Sequence, residues 1–231
     1  MNINDLYDPE FRKLIKSKKP TIIIPVGSIE QHGAHLPIST DSDIVTEIAS
    51  RLAKKCDFIV FPTISYGVSW EHEPLFNTSL KANNLRKILD DIIVSLRKNH
   101  IKKIFILNGH HGNLQVFAHM EKVANISTLS YWHFLNHEFD HAGFVETSLM
   151  LAISKNVKMN LAKKGLITDK MTKQEIAKIS KLANQSFPKA TKNGIWGDPR
   201  KATKKDGVKI LNEIVQNLSK KCQTYLTEDR L

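Results

Sequence analysis

Residues Thr21 to Val26 read Thr-Ile-Ile-Ile-Pro-Val and stop at Gly27. A strand with one solvated face alternates apolar and polar residues. This run is apolar on both faces, which predicts a strand buried on both sides. The next segments extend the constraint. Ile44, Val45, Ile48, Ala49 and Leu52 recur at helical spacing behind the capping candidates Thr40, Asp41 and Ser42. Phe58 to Ile64 is a second strand candidate, interrupted by Pro62. Leu85, Ile88, Leu89, Ile92, Ile93 and Leu96 form an amphipathic helix, and Lys103 to Leu107 a third strand. A turn at Asn108 to Asn113, a helix through Val116, Phe117, Met120 and Val123, and a strand over Ser127 to His133 continue the series. Beyond Asp169 two more helices are expected, one ending near Phe187 and one through Val208, Leu211, Ile214, Val215 and Leu218, joined by the link Gly194 to Pro199. Strand and helix in alternation predict an α/β fold, read here as one domain over residues 1–231. Its mostly parallel sheet is covered by helices on both faces, with right-handed crossovers and ligands beyond the carboxyl ends of the strands.

Composition removes several function classes. With 41% hydrophobic and 25% charged residues the chain matches globular usage. No apolar run approaches the roughly 18 to 20 residues of a bilayer span, so no membrane is expected as a partner. Met1 to Glu10 is polar and acidic, unlike a secretory signal, and the expected location is the cytoplasm. Cys56 and Cys222 stand in no metal-binding spacing and read as packing residues. Lys plus Arg number 34 against 23 Asp plus Glu, a formal charge of +11. The basic residues in Lys13 to Lys19, Arg97 to Lys103 and Arg200 to Lys209 flank elements, as a solvated surface does. No helix-turn-helix, zinc-finger or aromatic ribonucleoprotein pattern accompanies them, so nucleic-acid binding rests on charge alone and is not expected. The same charge favours an anionic small-molecule substrate by steering.

Three polar clusters follow predicted strands. The first is Gly27-Ser28-Ile29-Glu30-Gln31-His32-Gly33, with Asp41 nine residues after His32. Glu30 and His32 alternate in an extended segment, so both reach one side, toward metals about 3.5 Å apart, with Asp41 as a bridge. The second is Asn108-Gly109-His110-His111-Gly112-Asn113, and the third runs from His141 through Glu146 to Ser148 at the opening of a helix. Each alone has an ordinary structural explanation: a chance Glu-x-His, a loop capped by its own imidazoles, a Glu at the positive end of a helix dipole. Together they supply carboxylates and imidazoles without thiolates, a donor set suited to Zn²⁺, Fe²⁺ or Mn²⁺ in a hydrolytic site. There is no Gly-x-Ser-x-Gly elbow to activate Ser28 or Ser69, and neither glycine-rich nucleotide signature occurs.

The run from Pro25 to Pro37 followed by Asp41 resembles the signature of the creatininase family of metal-dependent amidohydrolases. The resemblance continues through Tyr66 to Ser69, Glu71-His72, Asn108 to Asn113, His141 to Gly143, Glu146 to Ser148 and Gly194 to Pro199. It implies a three-layer α/β/α fold, a homo-oligomer and two divalent ions per chain, Fe²⁺ or Zn²⁺ with Mn²⁺ as an alternative. By resemblance Glu30 is a ligand of one metal, His32 of the other, Asp41 the bridge and His110 a further ligand, while Glu146 closes the second site. His141 would carry a proton to the leaving nitrogen, or hold a ligand from behind. His111 would contact substrate or orient His110, and Ser69, Glu71 and His72 would line the pocket. Trp70, Trp132 and Trp196 read as core or interface residues rather than substrate platforms. Creatininase has a Glu two residues after the histidine matching His110, where this chain has Gly112. The glycine form resembles the branch that deformylates 2-amino-5-formylamino-6-ribosylaminopyrimidin-4(3H)-one 5′-phosphate in flavin and deazaflavin biosynthesis. Creatinine hydrolysis and a mycofactocin-type peptidase are the alternatives.

Overall fold

The computed structural model describes residues 1–120, 126–138 and 140–228. Helix α1 (Asp8–Lys18) leads into β1 (Thr21–Val26), α2 (Thr40–Cys56), β2 (Ile59–Val60), α3 (Ala82–Lys98), β3 (Lys103–Asn108), α4 (Leu114–Met120) and β4 (Ile126–Ser130). The chain then forms α5 (Phe144–Ile153), α6 (Lys173–Gln185), α7 (Phe187–Thr191) and α8 (Lys204–Glu228). The four strands are all parallel, in the order β2-β1-β3-β4.

Every residue of β1 is buried, and alternation divides them between two cores. Ile23 joins Phe105, Leu107 and Leu129 under α2, α5 and α8. Ile22, Ile24 and Val26 join Ile104, Ile106 and Ile126 under α1, α3 and α4. Each such side chain contributes about 1.5 to 3 kcal/mol when removed from water, so a parallel sheet loses much of its driving force unless both faces are covered. The result is the expected α/β/α arrangement.

Topology also places the site. From β1 the chain passes by α2 to β2 on one side, then by α3 to β3 on the other, and the two crossover helices leave on opposite faces. A crevice therefore opens at the carboxyl ends of β1 and β3, where Val26 pairs with Asn108.

Three boundaries differ from the sequence reading. Only Ile59 and Val60 of Phe58 to Ile64 form a strand, because Pro62 has no N–H to donate, and Ile64 pairs separately with Val26. The fourth strand ends at Ser130 instead of His133, since its partner ends at Asn108, and Tyr131–Phe134 coil into a 3-10 turn. Phe187 begins a short helix rather than ending one, with Ser186 extended between α6 and α7 and Pro188 in the first turn of α7. Val123 lies outside the described residues. Among the described residues no helix is long and apolar enough to cross a membrane.

Candidate metal centre

Two loops meet at the crevice, held by Asn113. Its side-chain oxygen accepts from the Val68 N–H at 3.0 Å, and its amide donates to the Gly27 carbonyl at 3.1 Å and to Asn108 Oδ1 at 3.3 Å. Gly109 donates to the Val26 carbonyl at 2.8 Å, and a Cβ there would stand 2.7 Å from that of Val45. The glycine lets the β3 loop lie directly on α2, beside Asp41.

Glu30, His32, Asp41, His110, His141 and Glu146 are all buried in this crevice. Three groups of donor atoms lie within 4.8 Å of one another: Glu30, Asp41 and His110; His32, Asp41 and Glu146; and Glu30, His32 and His141. Asp41 belongs to the first two, with Oδ1 at 3.1 Å from His32 Nε2 and Oδ2 at 2.9 Å from His110 Nδ1. Glu146 Oε2 stands 3.6 Å from His32 Nε2.

Backbone carbonyls orient the imidazoles. His32 Nδ1 is 3.1 Å from the Glu30 carbonyl oxygen and His110 Nε2 is 2.9 Å from that of Val68. A carbonyl only accepts, so these nitrogens carry protons, and the opposite nitrogens face Asp41. Glu30 Oε1 and Asp41 Oδ2 are buried and accept no hydrogen bond. Glu30 Oε1 lies 3.0 Å from His72 Nε2 and Asp41 Oδ2 2.9 Å from His110 Nδ1; buried carboxylate oxygens crowded by imidazoles are what a cation completes, and the donor set fits divalent ions.

The electrostatics agree. Burial works to lower the His32 imidazole, but Asp41, then Glu146 and Glu30, outweigh it and raise it to about 10. Burial opposes ionisation of Asp41, yet His32 and His110 hold its carboxyl well below the usual range. Burial first, with the carboxylates of Asp41 and Asp140 adding to it, pushes Glu146 up to about 8. The buried carboxylates thus favour positive charge in the crevice, which a divalent ion would supply without protons.

The other expected site residues separate into two groups. Glu71, His72, His111 and His141 line a cavity of about 380 Å³ in front of the carboxylates. Ser69 does not line it: the residue is fully buried and its backbone N–H donates to Ser79 Oγ at 2.8 Å. Two tryptophans expected in core or interface, Trp132 and Trp196, are cavity walls, whereas Trp70 is 48% exposed. Sequence reasoning missed Gln31, whose side-chain nitrogen lies 2.9 Å from His72 Nδ1 and 3.1 Å from His141 Nε2. It also missed the wall formed by Ile176, Ser180, Ala183 and Asn184 of α6. Gln31 was visible between Glu30 and His32, but helical spacing in α6 does not tell which surface the helix covers.

The family described as creatinine amidohydrolase matches residues 4–222. The chain belongs to the creatininase family of metal-dependent amidohydrolases. The mycofactocin precursor peptide peptidase of Mycolicibacterium smegmatis is 30% identical over 230 residues, covering 91% of this chain and 87% of that protein. A 2-amino-5-formylamino-6-ribosylaminopyrimidin-4(3H)-one 5′-monophosphate deformylase from Methanosphaera stadtmanae is 34% identical over 110 residues, 46% of this chain and 47% of that one. Creatininase solved in a manganese form superposes with a TM-score of 0.81 at 21% identity, over 97% of this chain and 98% of that one, and a Zn–Zn form of a variant gives 0.79.

Proposed function

We propose that this creatininase-family chain hydrolyses a C–N amide bond of a small substrate at a two-metal centre. Glu30, Asp41 and His110 would hold one ion, His32, Asp41 and Glu146 the other. The observation that carries the reading is Asp41, buried, with its two oxygens on the two imidazoles and one of them lacking a hydrogen bond. Divalent ions at such a site supply Lewis acidity and an activated water.

The remaining groups serve the proton and the substrate. Burial, with the neighbouring His32 and His72 imidazoles, keeps His141 well below its ordinary pKa, so it enters the reaction neutral. A neutral imidazole on the cavity wall can take a proton and return it to the leaving nitrogen. His141 is held for this by the Gln31 carbonyl, 3.1 Å from Nε2, and by the Phe187 ring, 4.7 Å away between centroids. Tyr131 steadies Glu146, its hydroxyl donating to Oε1 at 3.4 Å, while the Ala142 N–H donates to Oε2 at 2.6 Å.

Deformylation of the pyrimidine nucleotide, the reading suggested by the glycine-rich loop, has the weaker support. The deformylase likenesses are 34% identical over 46% of the chain and 24% over 93%, while the peptidase likeness is 30% over 91%; identity at full coverage therefore favours a peptide-like amide. The test is to strip the protein with chelator, reload it with Mn²⁺ or Zn²⁺ and follow amine release from small amides, dipeptides and the formylamino nucleotide. Hydrolysis that returns with metal and is lost in Glu30→Gln supports the proposal. Hydrolysis indifferent to chelator, or a protein that binds no metal, refutes it.

A further inference from the structure

The cavity is lined without the basic residues that dominate the chain. The chain carries a formal charge of +11 from 34 lysines and arginines, yet none of these is among the described residues lining the cavity. With Asp41, His110 and Glu146 assigned to metals, the ionisable groups left on the wall are Glu71, Glu138 and the imidazoles of His72, His111 and His141. The basic excess lies elsewhere on the surface.

Glu71 lies at the metal end. It sits in the 3-10 turn Trp70–His72, its side chain 19% exposed, with Oε1 3.6 Å from His110 Nε2. The space it enters is left by Gly112, where a Cβ would stand 2.7 Å from Glu71 Oε1. The rings of Trp132, Phe187 and Trp196 line the same cavity. Asp41, with one orphaned oxygen, lines the same cavity and marks its metal end on the two-metal reading. A carboxylate beside aromatic faces is the recognition chemistry of an organic cation. A phosphate in the same space would meet Glu71 and Glu138.

Building on the two-metal amidohydrolase reading, we propose that the substrate is an amide bearing a cationic nitrogen a few bonds from the scissile carbonyl, with Glu71 as its counter-ion. The α-ammonium of an aminoacyl amide is the simplest case. This differs from the anionic substrate expected from net charge, because net charge does not say which surface the lysines occupy.

The experiment compares three probes of nearly one shape: alaninamide, isobutyramide, in which a methyl replaces the ammonium, and methylmalonamate, in which a carboxylate does. Their dissociation constants on the Mn²⁺-loaded protein are measured by calorimetry, and turnover separately. A charge-assisted hydrogen bond predicts roughly a 10- to 100-fold preference for alaninamide over isobutyramide. In Glu71→Gln that ratio should fall toward one, and in Glu71→Asp part of it should return. Any loss common to both probes cancels in the ratio, so a fold or metal defect cannot imitate the result. Equal binding of the three probes, preference for methylmalonamate, or a ratio unchanged in Glu71→Gln overturns the proposal. Selective binding of alaninamide without metal-dependent turnover of any amide would uphold the charge preference and count against the hydrolase reading instead.

Discussion

Substituting Gly112 by alanine tests whether the His110 loop is as tightly determined as its contacts indicate. An added Cβ would run onto the Val68 carbonyl oxygen and stand 2.6 Å from His110 Nε2 and 2.7 Å from Glu71 Oε1. Glu71 can swing away, but the Val68 carbonyl cannot. Its residue is buried, its own N–H is held by Asn113 at 3.0 Å, and its oxygen accepts from His110 at 2.9 Å. The displacement therefore falls on His110, which must leave Val68 and turn from Asp41. Overpacking costs about 1 to 3 kcal/mol, and a lost buried hydrogen bond adds about 1 kcal/mol. At about 2 to 4 °C per kcal/mol for a domain of this size, the melting temperature should fall by about 5 to 15 °C. Disturbing the group that orients a metal-binding imidazole should weaken metal affinity about 10- to 100-fold. Differential scanning calorimetry of the stripped protein and competition with a coloured chelator measure the two effects apart. A melting temperature within about 2 °C of the parent with an unchanged chelator midpoint would refute this account of why glycine stands at 112.

Three further outcomes are expected. Asp41→Asn removes a carboxylate common to both donor groups, so elemental analysis after reloading and desalting should find fewer than two ions per chain, and two retained ions would exclude a bridge. His35 is buried, with Nε2 2.9 Å from Thr147 Oγ1, and burial, with His32 nearby, lowers its pKa to about 4. The unfolded chain takes up that proton near pH 6.5 and the folded one not until about 4. Stability is therefore complete above pH 6.5 and falls as pH drops toward 4, by about 3 kcal/mol. Urea titrations across that window should show a shallower loss in His35→Gln, and parallel curves would sink the assignment. Leu89→Ala empties a fully buried position under α3 and should cost about 2 to 5 kcal/mol in urea unfolding; a loss below about 1 kcal/mol would mean that α3 does not pack as described.

Much of this protein is determined by local order in the chain. The largely apolar, β-branched run Thr21 to Val26 predicts a strand buried on both faces, because it leaves no polar face for solvent. The alternation that follows dictates helices on both sides and a site at the strand ends. Glu30, His32, Asp41, His110, His141 and Glu146 stand directly after strands or at a helix start, so pattern and spacing single them out. Strand ends were less legible, because they depend on the neighbour: β4 stops at Ser130 when β3 runs out of partners.

Tertiary structure decided what the cavity is made of. Ser69 and Glu71 are two residues apart, yet one is sealed beneath the loop and the other faces the cavity. Trp132 and Trp196 become walls because separate elements bring them together, and α6 supplies a surface that its own periodicity does not locate. Above all, the basic composition belongs to the exterior and an acidic, aromatic lining to the cavity. Charge adds along a chain without regard to position, whereas recognition depends on which few side chains the fold turns inward.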